Sequence, residues 1–285
     1  MRRFIINFAF FSVLLVIIYV LAYWLYYKIA TPKGENIVYA WGDSQMYEDI
    51  DLKYLNAHTP YHFYSAAEHG AGLYDFLVFT RLVPDNSKVI IQISLPALLR
   101  RKIVDRNISA INLHALNQLR ENHYSAKEIY SVIKNNIFPS QMFFDKNYLF
   151  PAADTIDLTD SLSLFTFIYA KKPGYFNDKE NLYFSGIQTL VKKNCRIIAF
   201  VFPYHTMLNE IQNKSPYLGD IIQFDKQTSN FFVRKEIINI PLKENIFHDL
   251  THLNARGAGY LSKEMTSRLN FTQQPLLIQV TQQGN

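Results

Sequence analysis

Two short segments at opposite ends of the chain, Gly42-Asp43-Ser44 and Asp249-Leu250-Thr251-His252, constrain this sequence more than any other feature. One offers a hydroxyl nucleophile, the other an imidazole and a carboxylate. An alcohol attacks an acyl carbon at neutral pH only if a neighbouring base takes its proton, and that base needs a third group to orient it. Most of the chain lies between the two segments. They can meet only in a folded α/β domain whose first and last strands bring both loops to one edge of a sheet.

The local contexts favour such a meeting. Ile37-Val38-Tyr39-Ala40-Trp41 reads as a short buried strand and Gln45 to Leu55 as a helix, so Ser44 falls at a strand-to-helix turn. Backbone N–H groups and the helix dipole at such a turn stabilise negative charge on a substrate oxygen. Near the other end, Ile237-Ile238-Asn239-Ile240 reads as the last strand. Arg256 to Leu269 reads as a helix with Ala258, Leu261, Met265 and Leu269 on one face. Asp249 and His252 sit in the loop between them.

Gly42-Asp43-Ser44 before a helix, and Asp249-x-x-His252-Leu253-Asn254-x-x-Gly257-Ala258 leading into the last helix, resemble the first and last blocks of the SGNH (GDSL-like) hydrolase superfamily. The resemblance spans about residues 36 to 270. It implies a three-layer α/β/α fold with a flavodoxin-like parallel sheet, acting on acyl esters. Ser44 would be the nucleophile, His252 the general base and then acid, and Asp249 the orienting carboxylate. The family's second block is an oxyanion-hole glycine, for which Gly70 is the first choice and Gly72 the second. Its third block, Gly-x-Asn-Asp, is replaced after the strand Lys88 to Ile93 by Ser94-Leu95-Pro96. That departure is similar to the membrane-anchored branch containing the D-alanyl transfer protein of teichoic acid D-alanylation and, more loosely, alginate O-acetylation proteins. It implies Ser94 as a donor in place of the asparagine.

Arg2 and Arg3 precede an apolar run from Phe4 to about Tyr27, broken only by Asn7 and Ser12. At about 1.5 Å per residue such a helix crosses a hydrocarbon core of about 30 Å. Arginines before the run and a long domain after it favour an N-in, C-out orientation, and Tyr19, Tyr23, Trp24, Tyr26 and Tyr27 resemble an interfacial aromatic belt. The run exceeds an ordinary signal-peptide core and no small-x-small cleavage site follows it. It reads as an uncleaved signal anchor over residues 1–30, with a cleaved signal peptide as the alternative. Residues 31–272 then form one α/β domain with a helical excursion at about 97–165, and 273–285 a Gln-rich tail.

The single cysteine, Cys195, excludes an intramolecular disulfide and reads as a buried thiol in the strand Cys195 to Phe202. A formal charge of +5 and a pI near 9.0 suit contact with anionic lipid or polysaccharide. No Lys/Arg block argues for nucleic acid. Helices are expected over Ala71 to Val83, Ala97 to Val104, Ala110 to Asn122, Ser125 to Asn136 and Lys179 to Lys193, and a loop over Asn147 to Leu164 with Asp154, Asp157 and Asp160. Those aspartates lack the glycine and terminal glutamate of a calcium loop. His58, His62 and His69 have Pro60 among them and no carboxylate pattern, so no metal or other cofactor is expected. His205, in Pro203-Tyr204-His205 after a strand, points to the same sheet edge and is a candidate for lining the substrate cleft.

Plainer readings stand beside these. Ser44 could cap the following helix, and Asp249 and His252 could be a turn and a surface imidazole; Asp43 reads as a brace. On balance the chain reads as a membrane-anchored envelope enzyme with a Ser44-His252-Asp249 triad, transferring an acyl (O-acetyl) group to a cell-surface polysaccharide. By analogy its partner is a multispanning membrane-bound O-acyltransferase. The alternatives are an envelope esterase or lipase using the same triad, and a non-catalytic polysaccharide-binding or assembly protein.

Overall fold

The computed structural model describes residues 1–69, 71–94, 112–135, 142–145, 158–170, 176–216, 218–229, 231–232, 234–238 and 244–272. It opens with α1 (Arg2–Ala30), a helix apolar on all sides. Phe4, Ile5, Val13, Val16, Ile18 and Leu21 are all exposed on it, and an 18-residue window of it has a mean hydropathy of 2.7. Its 29 residues span about 43 Å at the α-helical rise, long and apolar enough to cross a membrane. Near its C-terminal end the Tyr23 side chain is buried in the larger of two hydrophobic clusters.

The domain is built on five parallel strands, β1 (Ile37–Trp41), β2 (His62–Ser65), β3 (Lys88–Gln92), β4 (Arg196–Val201) and β5 (Arg234–Ile237), in the order β2-β1-β3-β4-β5. β1 pairs Val38 with Phe63 on one side and with Lys88 on the other. Neighbouring side chains on a strand point to opposite faces. Val38, Ala40, Ile90, Ile198 and Phe200 therefore enter one buried cluster, and Tyr39, Trp41, Val89, Ile91, Ile197 and Ala199 the other. Strands buried on both faces read as continuous apolar runs, which is why β1, β3 and β4 are visible in the sequence.

Helices cover the two clusters. α2 (Ser44–Glu48), α3 (Leu52–His58) and α11 (Ala255–Arg268) supply Met46, Leu52, Leu55, Leu261 and Met265 to the first. The second receives α4 (Leu73–Leu82), α5 (Leu113–Glu121), α6 (Ala126–Asn135), α7 (Thr159–Ala170), α8 (Phe176–Lys192), α9 (Thr206–Asn213) and α10 (Leu218–Ser229). Within it Trp41, Phe76 and Tyr183 pack ring against ring: Phe76 stacks on Tyr183 at 5.0 Å, and Trp41 meets Phe76 tilted at 4.5 Å and Tyr183 edge-on at 5.7 Å. The Cys195 thiol is buried there, and burial pushes it up to about 11. An inert structural thiol is the result.

Three expectations need correction. The single helix over Gln45 to Leu55 is two helices, because Asp51 caps a new start: its carboxylate accepts from the Tyr54 N–H at 3.0 Å and its own N–H donates to Ser262 Oγ at 2.8 Å. Among the described residues the last strand is Arg234–Ile237, beginning three residues before the expected Ile237 to Ile240; Ile237 lies in it, the Ile238 N–H still donates to the Val201 carbonyl of β4, and Asn239 and Ile240 lie outside the described residues. β5 is an edge strand, half-exposed and charged, the usual protection of a free edge, and apolarity does not reveal it. The loop expected over Asn147 to Leu164 is helical from Thr159. Asp154, Asp157, the stretch Ala97 to Val104 and the tail 273–285 lie outside the described residues.

Candidate active site

In the strand order β2-β1-β3, the chain reverses direction across the sheet between β1 and β3, and parallel sheets bind ligands outside the carboxyl ends of their strands at such a point. The turn after β1 carries Gly42-Asp43-Ser44. Asp43 is the N-cap of α2, accepting from the Gln45 N–H at 3.0 Å, so Ser44 is the first helical residue and its side chain is free for another task. Capping falls to Asp43, which removes the plainer reading of Ser44. Gly42 is needed for a close approach: a Cβ there would stand 2.4 Å from both Gln92 Oε1 and Met46 Cβ.

Gln92, at the end of β3, fastens this turn. Its Oε1 accepts from the N–H groups of Asp43 at 3.0 Å and Met46 at 3.3 Å, and its Nε2 donates to Gln45 Oε1 at 2.9 Å. The Gln45 Nε2 in turn donates to the carbonyls of Pro203 and Thr251. Two buried amides thus join β3, the serine turn, the loop after β4 and the histidine loop. The sequence hints at this only through one polar residue in the run Val89 to Ile93, and the significance of Gln45 and Gln92 goes unrecognised there.

The histidine loop is built on itself. Asp249 Oδ1 accepts from the backbone N–H of Thr251 at 2.7 Å and of His252 at 2.8 Å, and from Thr251 Oγ1 at 3.0 Å. Its Oδ2 meets His252 Nδ1 at 2.7 Å. The other ring nitrogen, Nε2, lies 2.7 Å from Ser44 Oγ. Asn254 then caps α11, accepting from Arg256 and Gly257, and Gly257 lets the helix pass the Ile246 carbonyl, which a Cβ would approach to 2.3 Å. The block Asp249 to Ala258 is a turn, a cap and a close approach in succession.

Ser44, His252 and Asp249 are therefore in line. Burial alone would raise the Asp249 carboxyl, but the hydrogen bond and charge of His252, with the Thr251 and His252 N–H groups, hold it below the usual carboxylate range. Burial works against a charged His252 too. The Asp249 hydrogen bond and the charges of Asp49, Asp249 and Glu48 outweigh it and push the imidazole up to about 9. Glu48 stands one helical turn beyond Ser44, its Oε2 3.9 Å from His252 Nε2 and its Oε1 in contact with His69 Nε2.

The remaining expected site residues fare differently. Ser94 is at the site, but its one hydroxyl hydrogen goes to Asp43 Oδ2 at 2.5 Å, so it braces the N-cap in place of offering a donor to substrate. His205 is buried as the cap of α9: Nδ1 accepts from the Met207 N–H at 3.3 Å and the ring stands edge-on to Phe247. Its backbone N–H donates to the Leu250 carbonyl at 3.0 Å, which ties the loop after β4 to the histidine loop. It supports the site's wall without opening onto a cleft. Gly70 lies outside the described residues. Gly72, the second choice, has its N–H committed to Asp75 Oδ2 at 3.1 Å. The Ser44 N–H, as the first of α2, lies ahead of the intrahelical ladder and faces the turn.

No protein-family model matches this chain, and no curated protein is significantly similar to it.

Proposed function

We propose that the protein is a membrane-anchored serine enzyme acting on acyl esters, of the SGNH-like three-layer α/β/α type, and that its task is to transfer an acyl group to a cell-surface polysaccharide. The observation that carries this reading is the contact of His252 Nε2 with Ser44 Oγ at 2.7 Å while Asp249 holds the opposite ring nitrogen. In the neutral imidazole Nδ1 donates to Asp249, leaving the Nε2 lone pair for the serine proton. Ser44 Oγ attacks the acyl carbon as its proton passes to Nε2. The imidazolium returns that proton to the departing alcohol, leaving an acyl-serine. An incoming hydroxyl gives its proton to Nε2 and takes the acyl group, and Ser44 regains its hydrogen. The Ser44 N–H is the first oxyanion donor, and Gly70 is proposed as the second.

The preference for transfer over hydrolysis rests on α1. An enzyme that receives acyl groups from a membrane donor has use for a tether, and a multispanning O-acyltransferase would be that donor. Arg2 and Arg3, at the start of α1, favour an N-in, C-out orientation, with the domain outside the cytoplasm. A fluorophosphonate should label Ser44 in the wild type, and a folded His252→Ala variant should not be labelled. Unchanged labelling of that variant would remove His252 as the base. In cells, Ser44→Ala should lower O-acylation of an envelope glycan. A rise would instead identify a deacylating esterase.

A further inference from the structure

Asp49 is a second carboxylate in this site that the triad does not use. It is fully buried at the end of α2, in the break before α3. One oxygen, Oδ1, accepts the Leu253 N–H at 3.0 Å, and the other, Oδ2, has no hydrogen-bond partner among the described residues. Leu253 directly follows His252. The only hydrogen bond thus drawn from this side chain runs to the histidine loop, across a sequence separation of 204 residues. A buried carboxylate that serves as a structural acceptor alone is a poor choice, because an asparagine offers the same oxygen without the desolvation cost of a charge.

We propose that Asp49 is a positioning residue of the triad: its side chain pins the histidine loop to the serine helix through the Leu253 N–H, beside the imidazole whose protonation it helps to set. The charged groups acting on it are Glu48 from its own helix and Asp249 and His252 from the facing loop. Burial pushes the Asp49 carboxyl well above the ordinary range, against the pull of His252 and the Leu253 N–H, while Asp249 and Glu48 push in the same direction as burial. A proton held by Asp49 leaves His252 with fewer anions around it and so frees Nε2 to act as a base. An ionised Asp49 adds to the anions that favour the charged imidazole, so that Nε2 becomes a base only at higher pH. The inference rests on the triad reading for its catalytic meaning, but not for its electrostatics.

The test uses the full-length protein in detergent micelles, with histidine and aspartate isotopically labelled and followed by NMR. Asp49→Asn keeps an acceptor for Leu253 and removes the charge. It should lower the His252 midpoint by about one pH unit and move the pH of half-maximal fluorophosphonate labelling of Ser44 down by the same amount. In the wild type, the Asp49 carboxyl resonance should move through the pH range in which His252 titrates, a measurement that needs no variant to fold. An unshifted His252 midpoint in folded Asp49→Asn, or a wild-type Asp49 carboxyl that stays still while His252 titrates, would overturn the proposal. A wild type that never reacts with fluorophosphonate, yet shows the coupled titration, would sink the catalytic reading and support the assignment of Asp49.

Discussion

The two halves of the site are held by opposite means. The serine turn is fastened from outside: Gln92 reaches it from β3, Ser94 braces Asp43 and Gln45 carries the connection onward. The histidine loop is shaped mainly from within, with Asp249 Oδ1 collecting the Thr251 and His252 N–H groups within three residues, the His248 N–H bonded to the His252 carbonyl, and Asn254 starting the helix, while Gln45, Asp49 and His205 anchor that shape to the rest of the domain. A nucleophile fixed by remote side chains and a base fixed by its neighbours fail differently. Disturbance at the sheet should displace the serine more than the imidazole, whose loop keeps its own turn; disturbance within the loop should do the reverse.

The largest effects are expected where neither half can compensate. Ser44→Ala or His252→Ala should remove roughly 10⁴- to 10⁶-fold of any esterolytic rate with little change in melting temperature, and the double variant should lose no more than either single one. Asp249→Asn comes next, at roughly 10³- to 10⁴-fold, because the amide disturbs the Nδ1 partner and the loop's own turn. Esterolysis that survives Asp249→Asn unchanged would show that the loop does not depend on its own carboxylate.

Gln92→Leu sharpens the comparison from the other side. It leaves the buried Asp43 N–H without its Gln92 acceptor, at about 1–3 kcal/mol in denaturation, and the misplaced serine should lose about 10²-fold in rate while His252 keeps its titration midpoint. A shifted midpoint would mean that the two halves are not separately held. The smallest change is expected for Asn254→Ala, about 1 kcal/mol of stability from a lost cap, with the rate nearly preserved.

The pH dependence follows from the same two groups. His252 is raised in the folded protein, so the stability it contributes is fully present below its ordinary value of about 6.5 and is lost as pH rises through about 9. Asp249 is depressed, so its contribution is present above the ordinary value of about 3.9 and is lost as pH falls below it. Labelling of Ser44, which needs the free base, should rise with pH toward about 9 just as the stability from His252 fades. Labelling that is already maximal at neutral pH would show that the anions around His252 do not hold it charged.

Legibility in the sequence divides along the same line. Asp249 and Asn254 act through contacts a few residues long, and their spacing announces a turn and a cap. β1, β3 and β4 are apolar throughout because both their faces are covered, and they too can be read directly. Gln92, Gln45 and Asp49 act over 46 to 206 residues of sequence separation, and nothing in their immediate neighbours distinguishes them from ordinary polar residues. Ser94 and His205 were found by position but not by role: closeness to the sheet edge is written in the sequence, whereas the destination of one hydroxyl hydrogen or one ring nitrogen depends on what the fold brings opposite.

The chain of two amides from Gln92 through Gln45 has a direction. Oxygen must face the Asp43 and Met46 N–H groups at one end, and NH₂ must face the Pro203 and Thr251 carbonyls at the other, so reversing either amide sets donor against donor or acceptor against acceptor. Such a linkage works like a key with one cut, and it serves as the common datum from which serine and histidine are both measured. Gln45→Glu would keep the length and lose the cut: a carboxylate can receive the Gln92 NH₂ but has nothing to give the two carbonyls. Two loops now held in one register would then lose it, each still well formed and each out of step with the other.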